Sequence, residues 1–146
     1  MGVHRRTRML ELTWRVHRGL FRATRGRVGR RYGGMPIALV TTTGRKSGQP
    51  RDVTIPFVRD RERYVFVASN AGDTRDPDWV HNLRARPEAT LTVGGRTVPV
   101  RGREADGEER DRLWALATEA NPDYLEYEQR VTNRRIPVMV LEEPSQ

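Results

Sequence analysis

Nine consecutive residues, Thr43-Gly44-Arg45-Lys46-Ser47-Gly48-Gln49-Pro50-Arg51, carry the strongest chemical signal in the chain. Gly44 and Gly48 permit backbone conformations that expose amide groups, Arg45, Lys46 and Arg51 add cationic donors, and Thr43 and Ser47 add hydroxyls. Together they make a cradle for an anion such as a phosphate. The order is not that of a Walker loop, which needs a glycine-lysine-threonine/serine triplet after a four-residue gap, and it is not GxGxxG. On residue chemistry alone two readings stand side by side: a phosphate cradle, or a basic hairpin turn that stays in solvent. Lys46 is the single lysine among 27 basic residues. A compact ammonium meets phosphate as a point charge, unlike the guanidinium fork.

Other chemistries are thinner. The chain has no cysteine, which excludes disulfides, thiolate metal sites and a thiol nucleophile. No histidine or carboxylate cluster has the spacing of a metal site. His81 has no identifiable carboxylate partner in sequence, and His4 and His17 sit in a basic arm. Tyr124 and Tyr127 share a helical face, where a hydroxyl could donate a proton or orient an acceptor oxygen, although two aromatics at this spacing also suit simple packing.

The net charge of +8 suggests a nucleic-acid binder until its distribution is examined. Residues 1–34 hold ten arginines against the single acid Glu11, whereas 35–146 hold 17 bases against 18 acids. The body is close to neutral and the excess is an arm. Within it, Met9, Leu12, Val16 and Leu20 fall at helical spacing from about Thr7 to Ala23, with arginines on much of the rest. That pattern predicts a basic amphipathic helix able to pack on its own domain, on a partner or on an anionic membrane surface. Gly26, Gly29, Gly33, Gly34 and Pro36 then predict a linker. There is neither an 18-residue apolar run nor a secretion leader, so the expected location is the cytosol, with peripheral membrane contact through residues 1–34.

The elements that must position the turn are mostly strands. Strands are predicted over Ile37–Thr43, Arg51–Val58 and Tyr64–Ala68. A helix follows from Asp76-Pro77, where an aspartate cap precedes a first-turn proline, to about Arg86-Pro87. Ala89–Val93 and Thr97–Arg103 read as a hairpin around Gly94-Gly95, with Pro99 placing its strand at an edge or bulge. Asp106-Gly107-Glu108-Glu109 resembles a capping box that starts a helix, Asn121-Pro122 caps a shorter one, and Ile136–Leu141 forms a last strand. Sequential strands with few long crossovers favour an antiparallel barrel with attached helices: α+β, mainly β, with about six mostly antiparallel strands. The expected organisation is an N-terminal helix and linker over 1–34 and one barrel domain over 35–146.

At these residues a resemblance enters. Thr41 to Arg51, with Ala68-Ser69, Pro77-Asp78-Trp79, His81-Asn82-Leu83, Tyr124, Tyr127 and Arg135-Ile136-Pro137-Val138, resembles the deazaflavin-dependent nitroreductase family, whose members use coenzyme F420. The likeness runs from about Ile37 to Pro144, leaves the arm outside, and is most specific in the turn. It implies a split β-barrel and hydride transfer between reduced deazaflavin and an organic acceptor such as a quinone, nitroaromatic or enone. Carried over position by position, Arg45, Lys46, Ser47, Gln49 and Arg51, with Thr43, Gly44 and Pro50 shaping the same turn, would hold the phosphate and acidic tail. Ala68, Ser69, Asn70, Trp79 and Asn82 would wall the ring and its chain, and Tyr124 and Tyr127 would lie on the substrate side as catalytic candidates. Core packing is an equal reading for Trp79, and Asn82 has reason to be buried only if something bonds it.

The sequence departs from the family pattern at Asn70, Ala71 and Val80, where the family often has lysine, glycine and tyrosine, and at Asn121, where one member type has tyrosine; these changes bear on the acceptor more than on the cofactor. The expected partner is a small-molecule electron acceptor, with no metal and no nucleic acid, and the oligomeric state is left open, a dimer included. Two alternatives stand: a related barrel holding FMN, or a non-enzymatic nucleic-acid or membrane binder led by the arginine arm.

Overall fold

A computed structural model describes residues 31–32 and 35–144. Strand β1 (Arg31–Tyr32) precedes β2 (Met35–Thr43), which turns back into β3 (Pro50–Pro56); β4 (Val58–Asp60) and β5 (Arg63–Val67) form a second hairpin. Helix α1 (Asp78–Ala85) leads to the hairpin of β6 (Glu88–Val93) and β7 (Arg96–Glu104), followed by α2 (Gly107–Ala120), α3 (Asp123–Arg130) and β8 (Val138–Glu142). Every pairing is antiparallel, in the order β1-β2-β6-β7-β8-β5-β4 with β3 on β2, and the sheet curls into a half-barrel. The expected basic helix at Thr7–Ala23 lies outside the described residues.

The period-two alternation of the strands divides the interior. On β5, Tyr64 and Phe66 enter one core while Val65 and Val67 enter another; β8 does the same with Met139 and Leu141 against Val138 and Val140. Successive strand residues point to opposite faces, so a run of buried residues means both faces are covered. The first core holds the Phe57, Phe66 and Trp79 rings in edge or tilted contact and is plugged by Trp79, Val80 and Leu83 of α1. The second is closed by Leu113 and Ala117 of α2 and Tyr124 of α3. Helix α1 packs closely over Gly102 on β7, where an added Cβ would lie 3.1 Å from a Leu83 methyl, which would have to give by a few tenths of an ångström.

Several sequence expectations change in detail. The described strands number eight where about six were expected, because the chain breaks at Phe57, whose amide turns to the Pro36 carbonyl at 3.0 Å, and because Arg31–Tyr32 pairs with Met35 and Pro36 inside the expected linker. Asp76 does not cap α1: the helix starts at Asp78 with Pro77 at its N-cap, since Arg84 and Arg134 take both Asp76 carboxylate oxygens. The Asp106 side chain makes no capping hydrogen bond; Glu109, its expected reciprocal partner, is drawn away by Arg103 and Arg63. Pro99 falls where β7 pairs with β6 alone, before β8 joins at Arg101, so its missing N–H costs no ladder bond. Gly94 and Gly95, with φ of 57° and 84°, make the two-residue turn that such a dipeptide favours.

Candidate functional site

The β2–β3 turn is closed by its own backbone. The Gly44 amide donates to the Gln49 carbonyl and the Gly48 amide to the Gly44 carbonyl, both at 2.8 Å. Ser47 Oγ accepts from the Gln49 amide at 3.1 Å and from Arg51 Nη2 at 3.3 Å. A Cβ on Gly44 would lie 2.7 Å from Ser47 Oγ and 3.2 Å from the Gln49 carbonyl, so only glycine leaves this fold of the turn undisturbed. Gly48, at φ 70°, supplies a left-handed position that L side chains adopt at a cost.

What aims the turn is Asn82 on α1. Its Oδ1 accepts from the Arg45 amide at 3.1 Å and from Arg45 Nη1 at 3.4 Å, while its Nδ2 donates to Thr42 Oγ1 at 3.1 Å. Asn82 is 3% exposed, and these bonds are the partners its burial demands. One helical side chain thus locks the end of β2, the turn and α1 together.

Between the turn, α1 and the segment 70–78 opens a cleft of about 960 Å³. Gly44, Arg45, Lys46, Ser47 and Arg51 line its turn end, Trp79, His81 and Asn82 its helix side, and Asn70 with Asp73 to Asp76 the opposite wall. Both signs of charge line it, Asp52 standing beside Arg51 near the turn and Arg75 and Arg134 on the opposite wall. Arg45 pairs with the exposed Asp78 at 3.4 Å, whereas Lys46 and Arg51 have no carboxylate partner among the described residues. On the opposite wall, Asp76 is neutralised by Arg134 at 2.7 Å and Arg84 at 3.1 Å. Three cations at the turn end and an indole on the helix side suit a ligand with an anionic tail and a flat ring.

The structure therefore gathers Gly44, Arg45, Lys46, Ser47, Arg51, Asn70, Trp79 and Asn82 around one cleft. Thr43 and Pro50 face a smaller depression of about 280 Å³ on the other side of the turn, and Gln49 contributes its backbone to the turn. Ala68 and Ser69 are buried and offer their carbonyls to Arg134. Trp79 does both things asked of it, packing on Phe66 and lining the cleft.

Tyr124 and Tyr127 are not brought to the cleft. Tyr124 is 3% exposed in the second core, its hydroxyl 3.8 Å from Met35 Sδ, and burial pushes that hydroxyl up to about 12. A donor near neutral pH needs the opposite shift. The Tyr127 ring meets that of Tyr124 at a tilt of 58° with centroids 6.4 Å apart and lies against Gly72. The face of α3 that carries both rings packs on the second core, so the structure does not bring these two expected residues to the cleft with the turn residues. Arg134, which sequence reasoning passed over, is the most connected side chain at the cleft. Nothing local distinguishes it in a chain so rich in arginine; only the long-range contacts do.

The fold is a split barrel of the flavin-binding type, with a basic turn at one end of its cleft. The model of the F420H(2)-dependent quinone reductase family matches residues 13–143, and the chain belongs to that family. The match reaches into the arginine-rich arm, further than the motifs, which begin near Ile37. An F420H(2)-dependent quinone reductase of Mycobacterium tuberculosis is 40% identical over 131 residues, 87% of each chain. Among solved structures, an F420-H2 dependent reductase, FDR-A, is 44% identical with a TM-score of 0.67 over 73% of this chain and 94% of that one. A second solved structure, described only as a domain-swapped dimer, is 42% identical with a TM-score of 0.68 over 73% of this chain and 80% of that one. The heme storage protein HutZ of Vibrio cholerae, 15% identical with a TM-score of 0.57 over 75% and 82%, shares the fold alone. The protein is an oxidoreductase and its cofactor is coenzyme F420. The donor set fits that cofactor: cations without carboxylate partners among the described residues and a tight glycine turn for the anionic end, and Trp79 for the ring. Among the described residues no group of histidine and carboxylate side chains could hold a metal, and no helix is long and apolar enough to cross a membrane.

Proposed function

We propose that the cleft between the Gly44–Arg51 turn and α1 binds F420 and that a quinone is reduced there, with nitroaromatic and enone compounds as further acceptors of the same hydride chemistry. The reduced cofactor, when bound, supplies the hydride; a proton completes reduction of the acceptor oxygen. Arg45, Lys46 and Arg51 hold the phosphate and acidic tail, Ser47 orients Arg51, and Asn82 keeps the turn facing the helix. Trp79 gives the ring an apolar flank. Because Tyr124 and Tyr127 are committed to packing, the proton comes from water in the open cleft. The observation that carries this reading is the clustering of Lys46 and Arg51, without carboxylate partners among the described residues, at one end of the cleft.

Anaerobic mixing of the protein with F420H2 and a benzoquinone or naphthoquinone is expected to return oxidised deazaflavin in step with quinol formation. Lys46→Ala is expected to weaken F420 binding by about 1.5–3 kcal/mol through loss of a charge-assisted contact. Absence of turnover with every quinone, or an unchanged dissociation constant for Lys46→Ala at low salt, contradicts the proposal. Residues 1–34 carry a net +9 and are proposed to associate with anionic lipid, a contact that salt weakens and truncation removes in liposome flotation.

A further inference from the structure

The cleft's outer wall, residues 68–76, belongs to no strand. It includes Asn70 at φ 50° and Gly72 at φ 80°, and its internal bonds are local. The Gly72 amide donates to the Ser69 carbonyl, the Asp73 amide to the Asn70 carbonyl, and Asn70 Nδ2 to the Arg75 carbonyl. Such a segment has no ladder to hold it in place. Its bonds to the rest of the chain come largely from Asn133 and Arg134, with Asn133 Nδ2 donating to the Thr74 carbonyl at 3.1 Å.

Arg134 does most of this. Nε donates to the Asp73 carbonyl at 3.3 Å; Nη2 to the same carbonyl and to that of Ser69, both at 3.0 Å; and Nη1 to the Ala68 carbonyl at 3.3 Å and to Asp76 Oδ1 at 2.7 Å. A guanidinium has five N–H donors in a fixed plane, and all five contacts fall within one stretch of wall. The side chain is 11% exposed; the Ala68 and Ser69 carbonyls it satisfies belong to buried residues, where water gives little help, while its bonds to the Asp73 carbonyl lie at the surface. Asp76 passes the linkage on: its second oxygen takes Arg84 of α1, and Arg84 holds Glu104 of β7. Asp76 also stands next to Pro77, the N-cap of the helix that carries Trp79 and Asn82.

We infer that Arg134 is a positioning residue for the cofactor cleft: its guanidinium fixes the wall 68–76 and the start of α1 at the distance from the basic turn that the cofactor requires. The inference rests on the cleft being the F420 site. Lysine cannot substitute, because three donors on one atom cannot reach acceptors spread across the planar fork.

The test uses the full chain and reads cofactor affinity and hydrogen exchange separately. Arg134→Ala is expected to raise the F420 dissociation constant about tenfold or more and to speed amide exchange in 70–76 without cofactor, while Val65 and Val140 in the strands stay protected. Millimolar methylguanidinium, far below denaturing concentrations, is expected to restore both in Arg134→Ala and to leave the parent protein unchanged; methylammonium is not. Arg134→Lys is expected to resemble Arg134→Ala, and Asp76→Asn, which removes the charge from the Arg134 and Arg84 contacts while leaving the carbonyl contacts of Arg134 in place, to fall between it and the parent. Parent-like exchange and affinity in Arg134→Ala, equal restoration by methylammonium, or exchange that rises through the whole barrel overturns the inference. If the parent itself fails to bind F420 while local exchange and rescue behave as stated, the cofactor reading is at fault and Arg134 still fixes the wall.

Discussion

Asn82→Leu removes the buried side chain that joins the turn to α1, leaving the exposed Arg45–Asp78 pair between them, while keeping much of its volume. In the parent, Asn82 satisfies the Arg45 amide and the Thr42 hydroxyl, the latter on a residue 2% exposed. Leucine satisfies neither. Each polar group left buried without a partner costs about 1–3 kcal/mol, and the turn end is partly open to water, so the expected loss of stability is about 2–4 kcal/mol. The Thr42→Val single variant removes one partner of the pair and is expected to cost less. The double variant is expected to cost less than the sum of the two, since valine in place of Thr42 no longer needs the partner that leucine in place of Asn82 cannot offer. Denaturant unfolding with a shared slope gives the stabilities, and F420 titration gives the affinity, which is expected to fall about tenfold or more as the turn loses its aim. Additive effects of the two substitutions, or an Asn82→Leu protein within about 0.5 kcal/mol of the parent, would refute the view that this hydrogen-bonded link orients the turn.

Other outcomes follow from the same geometry. Gly44→Ala places its Cβ against Ser47 Oγ and the Gln49 carbonyl and is expected to weaken F420 binding with a stability loss of about 1–2 kcal/mol, read by titration and thermal melting. Tyr124→Phe deletes a hydroxyl buried against Met35 Sδ and away from the cleft, so quinone turnover is expected to stay within about twofold of the parent; a fall of about tenfold or more would return proton donation to Tyr124. The Tyr124 hydroxyl is raised from 10.0 to about 12 by burial. Its contribution is therefore complete below pH 10.0 and lost as pH rises toward 12, a loss that alkaline melting of Tyr124→Phe should lack. Asp60 is held below its ordinary value of 3.8 by hydrogen bonds and charge from Arg112 and Arg63. That contribution is complete above the ordinary value and lost as pH falls through the lowered one, so Asp60→Asn is expected to cost about 1–2 kcal/mol near neutrality and to converge with the parent in acid.

Strand positions were legible because apolar alternation is set by which face is buried, and the glycine turns because their backbone angles admit few residues. The basic turn was legible for the same local reason. Helix starts were less so: Asp76 and Asp106 have the residue types of caps, but the distant Arg134 competes for Asp76, and the nearby Arg103 with the distant Arg63 competes for Glu109. Tyr124 and Tyr127 showed their shared face in the spacing, while which core that face closes depends on tertiary packing. Asn82 declared that it needed partners without declaring them. Arg134 gave no local sign, since its role consists of contacts with residues 58 or more positions away.

The most direct test is parallel titration of the parent protein and a Lys46→Ala/Arg51→Ala variant with F420 and with FMN, at low and high salt. The parent is expected to bind F420 in preference to FMN, salt to weaken this binding, and the double variant to lose most of both affinity and salt dependence. Tight FMN binding with no F420 binding, or a double variant indistinguishable from the parent, would contradict the assignment of the basic turn as the cofactor's anchor.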